Sequence, residues 1–212
     1  MAAARAAQAG IRGRIEAASL EQIVADPDLL TFAIVGGAAA FADNCAPCHG
    51  SGGAGAKGYP NLADDDWLWG GSLDAIETTI RYGIRSSHEE TRISDMPRFG
   101  ADELLEPDEI DAVAEYVLSF TGRATDAAAA KRGADIFAEN CAACHGDKGE
   151  GTQDLGAPRL NDAIWLYGGD KATIVETVTN ARRGVMPTWV GRLDEATIKM
   201  LTVYEHSLGG GT

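Results

Sequence analysis

Two segments repeat apolar residues at helical spacing. In "EPDEIDAVAEYVLSF" (Glu106–Phe120), Ile110, Val113, Tyr116 and Val117 share one face, and in "DEATIKMLTVYEHSL" (Asp194–Leu208), Ile198, Leu201, Tyr204 and Leu208 do the same. Both open on acidic residues, which suit the positive end of a helix. A nearly unbroken apolar stretch, "LLTFAIVGGAAAFA" from Leu29 to Ala42, has 14 residues and a Gly pair. About 20 apolar residues are needed to span a bilayer, so this stretch reads as a buried helix running into Cys45. No segment alternates in the manner of a strand, so the pattern predicts an all-α chain of helices and loops with almost no sheet.

The pattern also repeats. "GGAAAFADNCAPCHG" aligns with "RGADIFAENCAACHG" at an offset of 96, and "YPNLADDDWLWGGS" with "APRLNDAIWLYGGD" at 98, the mark of two copies of one domain. Gly37 and Phe41 in the first copy match Gly133 and Phe137 in the second. A Gly four residues before an aromatic lies on the same helix face, so another helix can approach closely there. The expected partner is the last helix of the same copy. "GRATDAAAA" (Gly122–Ala130) reads as the connection, with the boundary near Arg123. The division expected is an N-terminal arm over 1–30, a first domain over 31–122, a linker over 123–130 and a second domain over 131–212.

Length and charge sharpen this picture. The 212 residues suit two small domains. The opening "MAAARAAQAGIRGRIEAASL" lacks the apolar centre of a signal peptide, so an export signal or anchor is expected to be missing from this chain. The net charge of −14 argues against nucleic-acid binding. Residues 1–122 hold 8 Lys and Arg against 20 Asp and Glu, whereas residues 123–212 hold 10 against 12. Such a field would steer a basic partner towards the first half.

All four cysteines fall in the two phrases "NCAPCHG" and "NCAACHG". Cys-X-X-Cys-His is the attachment phrase of c-type haem: two thiols form thioethers with the haem, and the adjacent His ligates the iron. Two residues between the cysteines put both sulfurs on one side of a helical turn. The alternatives are zinc, whose paired knuckles usually stand roughly 15–20 residues apart, and a redox dithiol, which belongs at a strand-to-helix junction. A covalent haem would also fill the core that a domain of this size lacks.

Candidates for the sixth iron ligand follow from the repeat. Met96 in "SDMPRFG" and Met186 in "GVMPTWV" hold corresponding places, each before a Pro that biases it to an extended conformation. Met200 sits in a helical apolar pattern and reads as core. The first copy has 11 more residues between Gly83 and Met96 than the second has between Gly184 and Met186. That extra loop contains His88, an alternative ligand or a solvated side chain; His206 reads as exposed. Pro60 and Pro158 follow their histidines by 11 and 13 residues, where a carbonyl could accept the imidazole Nδ1 proton. Trp67 and Trp165 would shield the haem edge or bond its propionates, core packing being the alternative for either. His/Met ligation closes the iron to substrate and suits electron transfer.

Together, "GYPNLADDDWLWGGS", "TIRYGIRSSHEETRISDMPRFG" and the doubled CxxCH resemble the dihaem cytochrome c subunit (subunit III) of the cbb3-type cytochrome c oxidases, from about Ser19 to Leu208. The resemblance implies two tandem class I cytochrome c domains on the periplasmic side. It also implies electron flow from a donor cytochrome c through two covalent haems c to the oxidase's monohaem and catalytic subunits, with no turnover by this subunit itself. Cys45, Cys48, His49 and Met96 would serve the first haem; Cys141, Cys144, His145 and Met186 would serve the second. Members of that family carry an N-terminal transmembrane anchor, which is not found in this sequence. A free dihaem shuttle and a dihaem peroxidase are the alternative functions. Asp64, Asp65 and Asp66 are either a docking surface for a basic donor or a solvated loop.

Overall fold

The computed structural model describes residues 2–209 and is helical, with isolated bridges and no β-strand among them. The helices are α1 (Ala2–Ala17), α2 (Leu20–Ala25), α3 (Pro27–Asn44), α4 (Ala46–His49), α5 (Leu73–Tyr82), α6 (Pro107–Ser119), α7 (Ala127–Asn140), α8 (Ala142–His145), α9 (Lys171–Asn180) and α10 (Glu195–His206). Side-chain acceptors start most of the long ones. Asp26, Ser72, Asp126, Asp170 and Asp194 each accept an amide of the first turn, and Glu106 and Glu109 form a reciprocal box at the start of α6. None of the helices is long and apolar enough to cross a membrane among the described residues.

The chain folds into two units, one made of Met1–Arg92 with Val185–Thr212 and the other of Ile93–Gly184. This differs from the division expected near Arg123. The C-terminal helix of the first sequence copy belongs to the second unit, and that of the second copy belongs to the first.

In unit one α3 crosses α10. A Cβ on Gly37 would strike the Met200 carbonyl and stand 2.6 Å from Tyr204 Cβ, so the two backbones meet only because Gly37 has no side chain. Phe41 packs on Tyr204 with ring centroids 5.4 Å apart. The segment expected to be an N-terminal arm is part of this core: Ile15 and Ile23 are fully buried with Leu20, Leu29, Ala33, Met200 and Val203. Lys199 Nζ donates to the carbonyls of Glu16 and Ala18 at 2.9 and 2.7 Å, closing the end of α1 onto α10.

Unit two repeats the crossing with α7 and α6. A Cβ on Gly133 would strike the Ala112 carbonyl and lie 3.0 Å from Tyr116 Cβ. Tyr116, Phe120 and Phe137 meet edge to face with centroids 4.9–5.5 Å apart. Here Glu115, fully buried, holds the turn between the helices. It accepts from the Thr125 amide at 2.7 Å, the Thr125 hydroxyl at 2.9 Å and the Asp126 amide at 3.1 Å, and pairs with Lys171 at 2.9 Å. The Asp126 amide and Lys171 lead the contacts that hold its carboxyl down at about 2.

Recounted by unit, the charge is nearly even: nine basic and fifteen acidic residues in unit one, nine and seventeen in unit two. The lopsided field expected from the linear halves is therefore absent, because the acidic α6 belongs to unit two.

Gly133→Ala is expected to lower stability by about 1–3 kcal/mol through overpacking. Gly13→Ala, at a helical site with nothing within 4 Å, should raise it by up to about 1 kcal/mol; urea unfolding of both variants checks the contrast. Glu115 binds its proton less readily folded than unfolded, so its contribution is present above the ordinary value of 4.5 and is lost as pH falls towards about 2. The stability difference between the parent and Glu115→Gln should accordingly be largest near neutral pH and close on acidification, read from unfolding curves across that range.

Candidate haem-binding sites

Each CxxCH phrase forms a single helical turn, α4 or α8, entered directly from the long helix before it. The Cys45 and Cys141 amides donate to the Phe41 and Phe137 carbonyls at 2.8 Å, and Gly50 and Gly146 end the turns at φ of 76° and 77°. Cys45 and Cys141 are buried and Cys48 and Cys144 exposed; all four are free thiols. Burial, followed by Glu205 and then Cys48, pushes the Cys45 thiol up to about 12, and burial with Cys144 pushes the Cys141 thiol up to about 11.

The histidines are fixed by main-chain carbonyls. His49 Nδ1 lies 3.0 Å from the Pro60 oxygen, and His145 Nδ1 lies 2.9 Å from the Pro158 oxygen. A carbonyl only accepts, so Nδ1 carries the proton and Nε2 is left with a free lone pair. Burial lowers both imidazole pKa values, against the opposing carbonyl bonds, and favours the neutral ring that ligates metal. Both prolines are placed by the loop that follows the motif: the Leu62 amide donates to Gly53 and the Leu160 amide to Gly149, each at 2.7 Å.

The methionines are exchanged relative to sequence order. Ile84 and Met186 share two backbone hydrogen bonds of 3.0 Å, and the Trp189 amide donates to the Ile80 carbonyl at 3.2 Å. Met186 packs against the core cluster that contains Phe41 and Cys45, as do Trp67 and Trp189. In unit two the Phe99 amide donates to the Val178 carbonyl at 3.1 Å, and Met96 packs against the cluster that contains Phe137 and Cys141, as does Trp165. Each Met-Pro-X-aromatic segment is thus clipped to the end of the helix after the other copy's motif. Cys45, Cys48, His49, Pro60, Trp67 and Met186 come together in unit one; Cys141, Cys144, His145, Pro158, Trp165 and Met96 come together in unit two. The expected pairing was Met96 with Cys45, Cys48 and His49, whereas here Met186 is the methionine in their unit. His88 has its ring 4.8 Å from that of Tyr82, while Met200 is core, 3% exposed.

Two further equivalences were not visible in the sequence. Arg92 lies 5.3 Å over Trp69 and donates to the Ala75 carbonyl at 3.2 Å; Arg182 lies 4.7 Å over Tyr167 and donates to the Thr173 carbonyl at 2.9 Å. The two arginines do the same work from non-corresponding sequence positions, so alignment of the repeats does not pair them. The second is Glu205, buried on α10 where a hydrocarbon would be expected.

Haem c suits both clusters. The Trp67 indole nitrogen and Arg92 Nε in unit one and the Trp165 indole nitrogen in unit two are buried donors without a partner among the described residues, the situation that an acidic group bound in each unit would relieve. Among the described residues no three His, Cys, Asp or Glu side chains are arranged to hold a metal ion.

A fold of two helical units, each with one CxxCH turn, a fixed His and a Met segment, is that of a dihaem c-type cytochrome. The family described as "Cytochrome C oxidase, cbb3-type, subunit III" matches residues 33–117 and 128–204, and the chain belongs to it. It is 58% identical to the Cbb3-type cytochrome c oxidase subunit CcoP of Cereibacter sphaeroides, over 97% of this chain and 71% of that protein. It is 59% identical to the subunit FixP of a Bradyrhizobium species over 92% and 67%, and 54% identical to CcoP of an Azospirillum species over 100% and 74%.

Proposed function

We propose that this chain is an electron-transfer subunit of a cbb3-type oxidase, carrying one haem c on Cys45 and Cys48 and one on Cys141 and Cys144. Haem c supplies a one-electron iron couple. His49 and Met186 would hold the first iron, and His145 and Met96 the second. The observation that carries this reading is the clipping of each Met-Pro segment into the unit that holds the other copy's CxxCH turn.

The residues divide the work in physical terms. Pro60 and Pro158 keep each imidazole in one tautomer and orientation. Met186 and Met96, as ligands to the two irons, would leave no position for substrate, which argues for electron transfer without turnover. Phe41, Phe137 and the crossed helices exclude water and so favour the state of lower charge. Trp67, Trp165 and Arg92 offer donors to the cofactor's acidic groups.

Relatives named as oxidase subunits support partnership with the monohaem and catalytic subunits of such an oxidase. A soluble donor cytochrome c at the periplasmic face of the inner membrane completes the reading. The even charge of the two units removes the case for steering that donor to one of them by net charge alone.

In the chain bearing Cys141→Ala and Cys144→Ala, Met186→Ala is expected to turn the remaining haem from low to high spin, while Met96→Ala leaves it unchanged. The reverse result would restore pairing in sequence order; optical and paramagnetic resonance spectra decide. The intact dihaem protein is expected to co-purify with haem–copper subunits and to lack peroxide turnover. Peroxide-dependent oxidation of a reduced donor would favour the peroxidase, and isolation without partners the free shuttle.

A further inference from the structure

The two units differ at one buried position beside the attachment cysteine. Tyr204 and Tyr116 face Gly37 and Gly133 at the two helix crossings, and this registers Glu205 on α10 with Val117 on α6. Val117, 3% exposed, packs in the apolar cluster that contains Cys141. Glu205, 4% exposed, lies close enough to Cys45 for its charge to raise that thiol's pKa. One unit therefore presents hydrocarbon to its CxxCH turn, and the other presents a carboxyl group.

Among the described residues no hydrogen-bond donor or cation is paired with the Glu205 carboxyl group. Burial acts on it without opposition from any hydrogen bond or neighbouring cation, and pushes its pKa up to about 8. The cations described on the elements packed against α10 are engaged elsewhere. Arg81 of α5 pairs with Glu77 and Glu195, Arg12 of α1 with Asp194, Arg14 with Asp26, and Lys199 of α10 itself with the α1 carbonyls. The other ionisable groups on these elements are Asp28 and Asp43 on α3, Asp74 and Tyr82 on α5, Glu16 on α1, Glu21 on α2, and His206 beside Glu205. Burial is the cause of Glu205's raised pKa, and its charge in turn helps to raise that of the Cys45 thiol.

We propose that Glu205 is a redox-linked proton site, so that unit one takes up a proton from solvent when its haem takes up an electron, and unit two does not. The proposal rests on haem attachment at Cys45 and Cys48. A one-electron donor reduces ferric to ferrous iron, and the carboxylate becomes a carboxylic acid by forming one O–H bond; no other bond forms or breaks. The ferric centre carries one more positive charge than the ferrous, and in a site with little water that charge favours the ionised carboxyl. Reduction withdraws it. With Val117 in the corresponding place, unit two has no carboxyl group there to respond, and its buried Glu115 is held ionised by Lys171 and the Asp126 amide.

Spectroelectrochemical titration of the dihaem protein between pH 6 and 9 tests this. The unit-one haem is assigned in the chain bearing Cys141→Ala and Cys144→Ala, independently of which Met ligates it. At fixed electrode poise its ratio of reduced to oxidised form is expected to fall several-fold across that range, bounded by tenfold per pH unit for one proton per electron, while unit two stays flat. Glu205→Gln should flatten unit one, and Val117→Glu should create the dependence in unit two. Reduced-minus-oxidised infrared spectra of the parent should contain a carboxylic-acid C=O band that Glu205→Gln removes. A unit-one potential independent of pH, or a dependence and infrared band that survive Glu205→Gln, would overturn the proposal. Absence of covalent haem at Cys45 and Cys48 would instead overturn the reading on which it rests.

Discussion

In each unit two helices meet backbone to backbone, and the rest of the unit is organised around that crossing. At Gly37 and Gly133 the absence of a Cβ lets the facing carbonyl and the Tyr Cβ occupy the space of a side chain. The crossing sets the line along which Phe41 or Phe137 packs. Four residues further on it sets where Cys45 or Cys141 leaves the long helix and the CxxCH turn begins. A domain of this size has too little apolar surface to fix such a geometry by core packing alone. A close glycine crossing and a cofactor joined at its end act together: the first gives direction, the second supplies the missing interior.

The helices themselves were legible because their signals are local. The acidic openings of α6 and α10, their apolar faces and the Gly-to-aromatic spacing each depend on residues within a few turns, and the structure places a helix at all of these positions. The crossover was not legible, because a repeat alignment identifies corresponding residues without saying which copy they pack against. α6 and α10 carry equivalent apolar faces, so either could have closed either unit without violating the pattern. The one asymmetric signal was the longer loop after Gly83. In the structure that loop turns back on itself, with Ile84 bridging to both Arg92 and Met186, before the chain enters the second unit at Ile93. The role of residues 1–30 was missed for another reason: Ala is the commonest residue of the stretch and hides the few larger apolar residues, Ile15, Leu20, Ile23 and Leu29, that are buried.

The crossover changes how the molecule's asymmetries should be counted. Divided by sequence, the halves differ greatly in charge; divided by folded unit, they are nearly equal. The difference that remains is local and chemical, a carboxyl group beside one attachment turn and a valine beside the other. Charge at such a distance in a dry interior outweighs a diffuse surface field that salt screens within about 10 Å. Two sites built on one plan can then have different redox behaviour without differing in their ligands.

A chain that completes its first unit with its last helix also couples the two sites in folding. Unit one lacks Met186 and α10 until residues 185–212 are made, so its cleft cannot close while only the first sequence copy exists. Contacts of that sequence separation form late, because the loop between them must be ordered first. Two independent domains on a string would permit a product with one good site. In this arrangement truncation before α10 removes the closing segment of the first site, so that site is complete only in a chain that has been made through His206.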